Sequence, residues 1–203
     1  MTTLGTPYFL IDERRLVANL EVVRTIREVS GARSVLALKC FSTWAVFGLM
    51  GEYLDGTTSS SLYEARLGRE EFGGEVHAYC VAFTADEVAA LAGVADKVIF
   101  NSRSQLDRFA ALVDGPELGI RVNPGISHSA FDLADPARPF SRLGLVDIDE
   151  VRAVAPRVRG LVFHFNSGEV GPFATGATTV TIRWDDLLGY VRPDGPLRSL
   201  RPS

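Results

Sequence analysis

The sequence predicts an α/β fold organised around a parallel sheet, and three observations point there. Short apolar runs alternate with amphipathic helical stretches through most of the 203 residues, the pattern of consecutive right-handed βαβ units. The runs are apolar at successive positions, as in Val35-Leu-Ala-Leu38 and Val98-Ile-Phe100, which suits strands buried on both faces. Polar side chains collect where the runs end, and that end of a parallel sheet is where sites form.

Taken in order, Tyr8 to Ile11 reads as a strand. Leu16, Val17, Leu20, Val23, Ile26 and Val29 then recur at helical spacing, and Gly31 closes that helix. Val35 to Lys39 is a strand, 43–51 a short helix and Leu54 to Ser59 a strand. Ser61-Leu-Tyr-Glu64 is a capping box opening a helix that ends near Gly73-Gly74. His77 to Phe83 is a strand, and Thr84-Ala-Asp-Glu87 caps a helix to about Val94. Lys97 to Phe100 is a strand, and Ser102-Arg-Ser-Gln105 caps a helix to about Val113. Leu118 to Asn123, an irregular stretch over 125–146, a helix near 147–156 and a strand Gly160 to Phe165 complete the pattern. Six strands follow residue 35. A doubly wound sheet has room for six, whereas a closed barrel takes eight. Val180 to Trp184 and Leu187 to Tyr190 are weakly apolar and start no further unit.

Composition narrows the class. Hydrophobic residues make up 46% and charged residues 23%, with a net charge of −4, so a sizeable core is expected. No basic surplus is available to attract nucleic acid or an anionic membrane. Neither a signal peptide nor a run long enough to span a membrane is legible, and a cytoplasmic protein is expected. Cys40 and Cys80 form no CxxC pair and read as reduced, buried thiols. Three scattered histidines give no metal spacing. Dinucleotide, Walker and GxSxG motifs are absent.

Lys39 and Lys97 are the two lysines in a chain with 21 Lys and Arg in total. Lys39 ends an apolar strand, where desolvation turns an amine into a nucleophile suited to a carbonyl. From its position alone it reads rather as a lysine whose head reaches solvent or pairs with an acid. His164 ends the sixth strand and reads either as a core histidine or as a ring stacked on a flat heterocycle. The capping box alone accounts for Glu64. Arg121 suits an anion or an interior salt bridge. Ser59, Ser60 and Ser61 suit a phosphate or a polar turn.

These residues carry a family resemblance. Thr6-Pro-Tyr-Phe-Leu-Ile-Asp12, Leu36-Ala-Leu-Lys-Cys-Phe-Ser-Thr-Trp44, Leu54-Asp-Gly-Thr-Thr-Ser-Ser60, Glu71-Phe-Gly-Gly-Glu-Val-His-Ala-Tyr79, Ile99-Phe-Asn-Ser102, Arg121-Val-Asn-Pro-Gly125, Ala134-Asp-Pro-Ala-Arg138, Phe140-Ser-Arg-Leu-Gly144 and Gly160-Leu-Val-Phe-His-Phe-Asn166 together resemble the carboxynorspermidine decarboxylases. That family sits among the alanine-racemase-like decarboxylases that use pyridoxal 5′-phosphate (PLP). The resemblance implies a PLP-binding (β/α)8 TIM-type barrel, of which about six strands are present here. It also implies a homodimer and a carboxylated polyamine substrate, carboxynorspermidine or carboxyspermidine. By position, Lys39 resembles the Schiff-base lysine, His164 the stacking histidine and Ser167 a phosphate-contacting serine. Glu64 and Arg121 resemble residues lining the cofactor pocket.

The match covers roughly residues 6 to 169, and 1–169 is expected to be the front part of the barrel. The family's glycine-rich phosphate loop, its EPG-type segment and its C-terminal β-domain are not found in 170–203, which holds four of the ten prolines. A frameshift before a stop is the expected origin of that tail, and little decarboxylase activity is expected of the chain as it stands. Two other readings compete: a single-domain PLP carrier, and a non-catalytic decarboxylase homologue that binds a protein partner.

Overall fold

The computed structural model describes residues 5–125, 133, 135–164 and the backbone of 179–183. Helix α1 (Glu13–Ser30) is started by Asp12, whose carboxylate accepts from the Arg14 and Arg15 amides, and stopped by Gly31 at φ 70°. After it come β1 (Val35–Ala37), α2 (Phe47–Gly51), β2 (Gly56–Ser59), α3 (Leu62–Leu67), β3 (Glu75–Tyr79) and α4 (Ala85–Leu91). Then follow β4 (Lys97–Phe100), α5 (Arg103–Phe109), β5 (Glu117–Val122), α6 (Ile148–Val154), β6 (Gly160–His164) and β7 (Thr179–Arg183).

The strands lie in the order β1-β2-β3-β4-β5-β6-β7, with β1 to β6 all parallel. This order settles the choice the sequence leaves open. A doubly wound sheet reverses direction at a switch point, whereas each strand here adds on the same side of its predecessor, as in a barrel. The result is a curled half-barrel.

Register divides the side chains into two layers. Val76, Ala78, Val98, Phe100, Ile120 and Leu161 face the helices and form one core with Leu91, Leu106, Phe109, Val151 and Val154. A second cluster packs Leu20 of α1 and Leu38 against Phe47, Met50 and Tyr53. The opposite, inner layer carries Glu75, His77, Tyr79, Lys97, Ile99, Asn101, Gly119, Arg121, Val162 and His164. Barrel interiors are commonly filled by branched apolar side chains. Here the middle is apolar and both ends are polar.

At the amino end of the strands, Glu75 accepts from Lys97 Nζ and pairs with His77 Nε2, each at 2.9 Å, and it also pairs with Arg33. Burial alone would raise the Glu75 carboxyl, but His77, Lys97 and Arg33 hold it at about 2. His77 is lowered by burial, with Glu75 opposing. If His77 Nε2–H donates to Glu75, the same nitrogen has no lone pair for Lys97 3.3 Å away, so Glu75 is the real partner of Lys97.

Four expectations need correction. Tyr8 to Ile11 is no strand, and Tyr8, Phe9 and Leu10 are exposed; among the described residues nothing offers it a ladder. Several strands stop one or more residues early, so Cys40 is exposed and Cys80 half-buried rather than buried. The box at Ser61 is half formed: Ser61 Oγ accepts from the Glu64 amide at 3.2 Å, but the Glu64 carboxylate reaches the Ser60 amide. The stretch Thr179-Val-Thr-Ile-Arg183, read as starting no unit, pairs antiparallel with β6. Its β-branched residues suit the free ladder edge that β6 presents. The remainder of 170–203 lies outside the described residues.

Candidate active site at the carboxyl ends of the strands

Three of the five site residues expected from sequence stand together at the carboxyl ends of the strands. Lys39 lies in a tight turn directly after β1, where the Cys40 and Phe41 amides bond back to the Ala37 carbonyl. Lys39 is exposed, so of the two readings its head reaches solvent and is not desolvated. Arg121, on β5, is 5% exposed and is held across the inner layer. Its Nη1 donates to Tyr79 Oη at 2.7 Å and its Nη2 to the His164 carbonyl at 3.4 Å. His164 ends β6 and is half-buried.

Electrostatics ties the three together. The His164 imidazole is lowered to about 4, first by burial and then by the positive charges of Lys39 and Arg121. Lys39 follows the first strand and His164 ends the sixth, so their interaction reflects the curl of the sheet. At neutral pH the ring is therefore uncharged between two cations. The mouth combines an accessible amine, a flat neutral ring and a cationic field.

Glu64 sits at the start of α3, its carboxylate bonded to the Ser60 amide at 2.5 Å, which is a helix-start contact at the rim of the same mouth. Ser167 lies outside the described residues. Ser59 Oγ donates to the His77 carbonyl at 2.8 Å, which gives it a structural use.

Sequence reading did not single out Tyr79. Its phenol donates to Asn101 Oδ1 at 2.8 Å while accepting from Arg121. Glu75, His77 and Tyr79 alternate along β3, and that polar period of two is the signal that places Tyr79 on the inner layer. A strap, residues 135–145, is bonded to the carboxyl ends of β4 and β5. It is fastened by Asn123 Nδ2 donating to the Pro136 carbonyl and by Leu145 bonding to both the Arg121 carbonyl and the Asn123 amide.

Among the described residues, no three or more His, Cys, Asp or Glu gather as a metal site. No described helix is long and apolar enough to cross a membrane.

No family model matches the chain. A curated carboxynorspermidine/carboxyspermidine decarboxylase from Herminiimonas arsenicoxydans is 52% identical over 187 residues, covering 91% of this chain and 51% of that protein. That alignment is longer than the stretch from about residue 6 to 169 matched by motif. The solved carboxynorspermidine decarboxylase of Campylobacter jejuni, complexed with norspermidine, is 32% identical with a TM-score of 0.66, over 79% of this chain and 41% of that one. An SrLDC mutant solved in complex with PLP is 18% identical with a TM-score of 0.57, over 80% of this chain and 48% of that one, and shares the fold. The chain spans about half the length of the curated relatives it matches, and it belongs to the carboxynorspermidine decarboxylase family.

Proposed function

We propose that this chain carries the cofactor-anchoring portion of a PLP-dependent decarboxylase acting on carboxynorspermidine or carboxyspermidine. The observation that carries the reading is the convergence of Lys39, Arg121 and His164 on one mouth of a singly wound parallel sheet.

The residues present fit the cofactor. An aldehyde needs a reachable amine, and Lys39 is exposed at the mouth. Among the described residues the buried Arg121 Nε has no hydrogen-bond partner, a donor left to be satisfied at the site. Bound PLP supplies an electron sink for loss of a carboxylate. The chain's own residues would do the rest. Lys39 would hold the aldehyde carbon, and Arg121 would attract an anionic group of the cofactor or the substrate. His164, uncharged, offers a flat face to the heterocycle. The polyamine choice rests on the relatives' chemistry, because carboxynorspermidine decarboxylase was solved with norspermidine bound.

The test is reductive labelling: PLP, then borohydride, then peptide masses. A pyridoxyl mass on the Lys39 peptide, with the Lys97 peptide unlabelled, supports the reading, since Lys97 is held by Glu75. Folded protein with an unlabelled Lys39 refutes it.

A further inference from the structure

Arg121 and His164 are held from behind by a chain of hydrogen bonds that fixes their placement. The chain starts at the strap. Asn101, just beyond β4, accepts from the Gly144 amide at 3.0 Å and donates to the Arg142 carbonyl at 2.9 Å. A backbone donor on one side and a backbone acceptor on the other leave the Asn101 amide one orientation. Its Oδ1 is then the acceptor for Tyr79 Oη, at 2.8 Å. With its proton committed to Asn101, the phenol offers a lone pair to Arg121 Nη1, at 2.7 Å. The guanidinium carbon also lies 5.0 Å from the Tyr79 ring centroid.

Tyr79 gives Arg121 its shorter bond, since the bond to the His164 carbonyl is 3.4 Å and, among the described residues, Nε has none. The stem of Arg121 is packed as tightly. A Cβ on Gly144, at φ 84°, would stand 3.0 Å from Arg121 Cγ.

We propose that Tyr79 is a positioning residue. Its phenol, oriented by Asn101, sets the Arg121 guanidinium and through it the end of β6, so that His164 holds one placement at the mouth. The identity of the mouth's ligand rests on the cofactor reading above, but the geometry does not. Removing the hydroxyl leaves a buried charged donor without its acceptor, and the guanidinium then seeks another partner within the site.

The test uses the full chain as wild type, Tyr79→Phe and Tyr63→Phe, the last a control because Tyr63 is 79% exposed. The histidine imidazole resonances are recorded without cofactor. PLP is then titrated and its covalent attachment followed by visible absorbance. Tyr79→Phe is expected to shift the His164 resonance and spare His77, which lies at the far end of the strands. The PLP concentration for half-saturation should rise about tenfold, the order expected when a buried charged donor is orphaned. Tyr63→Phe should change neither readout. Should Tyr79→Phe fail to fold, Asn101→Ala, which frees the phenol, is expected to move both readouts in the same direction. A folded variant with the His164 signal and PLP half-saturation unmoved overturns the proposal, even if its melting temperature falls, because Tyr79 is then only a packing residue. If the wild-type chain takes up no PLP, the cofactor reading fails and the His164 resonance alone decides the positioning role.

Discussion

His164 shows how one side chain couples site chemistry to stability. Burial and the neighbouring positive charges hold its folded-state pKa at about 4, below the ordinary histidine value of 6.5. Between those values the unfolded chain binds a proton that the native imidazole refuses, so stability is present above about pH 6.5 and lost as pH falls towards 4. His77 is lowered too and acts in the same sense. Glu75, held at about 2 against 4.5, adds its loss lower down, between those two values. Urea midpoints at a series of pH values should therefore fall in two overlapping steps on acidification. His164→Gln should flatten part of the upper step and leave the lower one. An upper step of unchanged size in the variant would mean that the imidazole is not depressed. Lys39 and His164 were both legible in the sequence because each ends an apolar strand. Their meeting was not, since it depends on a curl that brings the first strand towards the sixth. Tyr79 escaped for another reason: read along the chain it is one polar residue after Ala78, and only register across four strands reveals its company.

At the scale of elements, the alternation of strand and helix was readable from residue 13 to 164, because the helix-facing layer needs an unbroken supply of apolar side chains. Boundaries were less so. The capping reading found the right starts at Ser61, Thr84 and Ser102, where each hydroxyl accepts from the amide three residues on. The helix opened by Ser61 continues past Leu67 as a π-turn, Gly68–Phe72, that no periodicity announces. Gly68 is required there, since a Cβ would sit 2.2 Å from Thr57 Oγ1, a hydroxyl that is buried with no hydrogen-bond partner among the described residues. That turn brings Phe72 edge-on to Phe47, with ring centroids 5.2 Å apart at 67°. Phe47 is fully buried and joins α2 to the π-turn beneath β1 and β2. Phe47→Ala is therefore expected to cost about 3–5 kcal/mol, measured by urea unfolding. A loss under about 1 kcal/mol would show that the cluster around α1 and α2 collapses to fill the space.

At the scale of the whole molecule, the half-barrel has an open side. Among the described residues, no strand pairs with the free edge of β1. Helix α1 is apolar on two faces. Leu20 is buried, with Leu16 and Val17 packed against the same cluster. Val22, Ile26 and Val29, spaced four and three apart, form a second stripe that is 60%, 58% and 85% exposed. An exposed apolar stripe and an unpaired strand edge are both surfaces that associate. The isolated chain is accordingly expected to self-associate as its concentration rises. Ile26→Glu places a charge in the middle of the stripe without touching the Leu20 face. It should shift sedimentation towards the monomer while changing unfolding free energy by no more than about 0.5 kcal/mol, the ordinary effect of a surface substitution. Two results would separate the alternatives. Association unchanged by Ile26→Glu would place the contact at the β1 edge rather than on α1. A loss of about 2 kcal/mol or more would mean that the stripe is covered within the chain itself, by residues beyond those described, and that the open side is already closed.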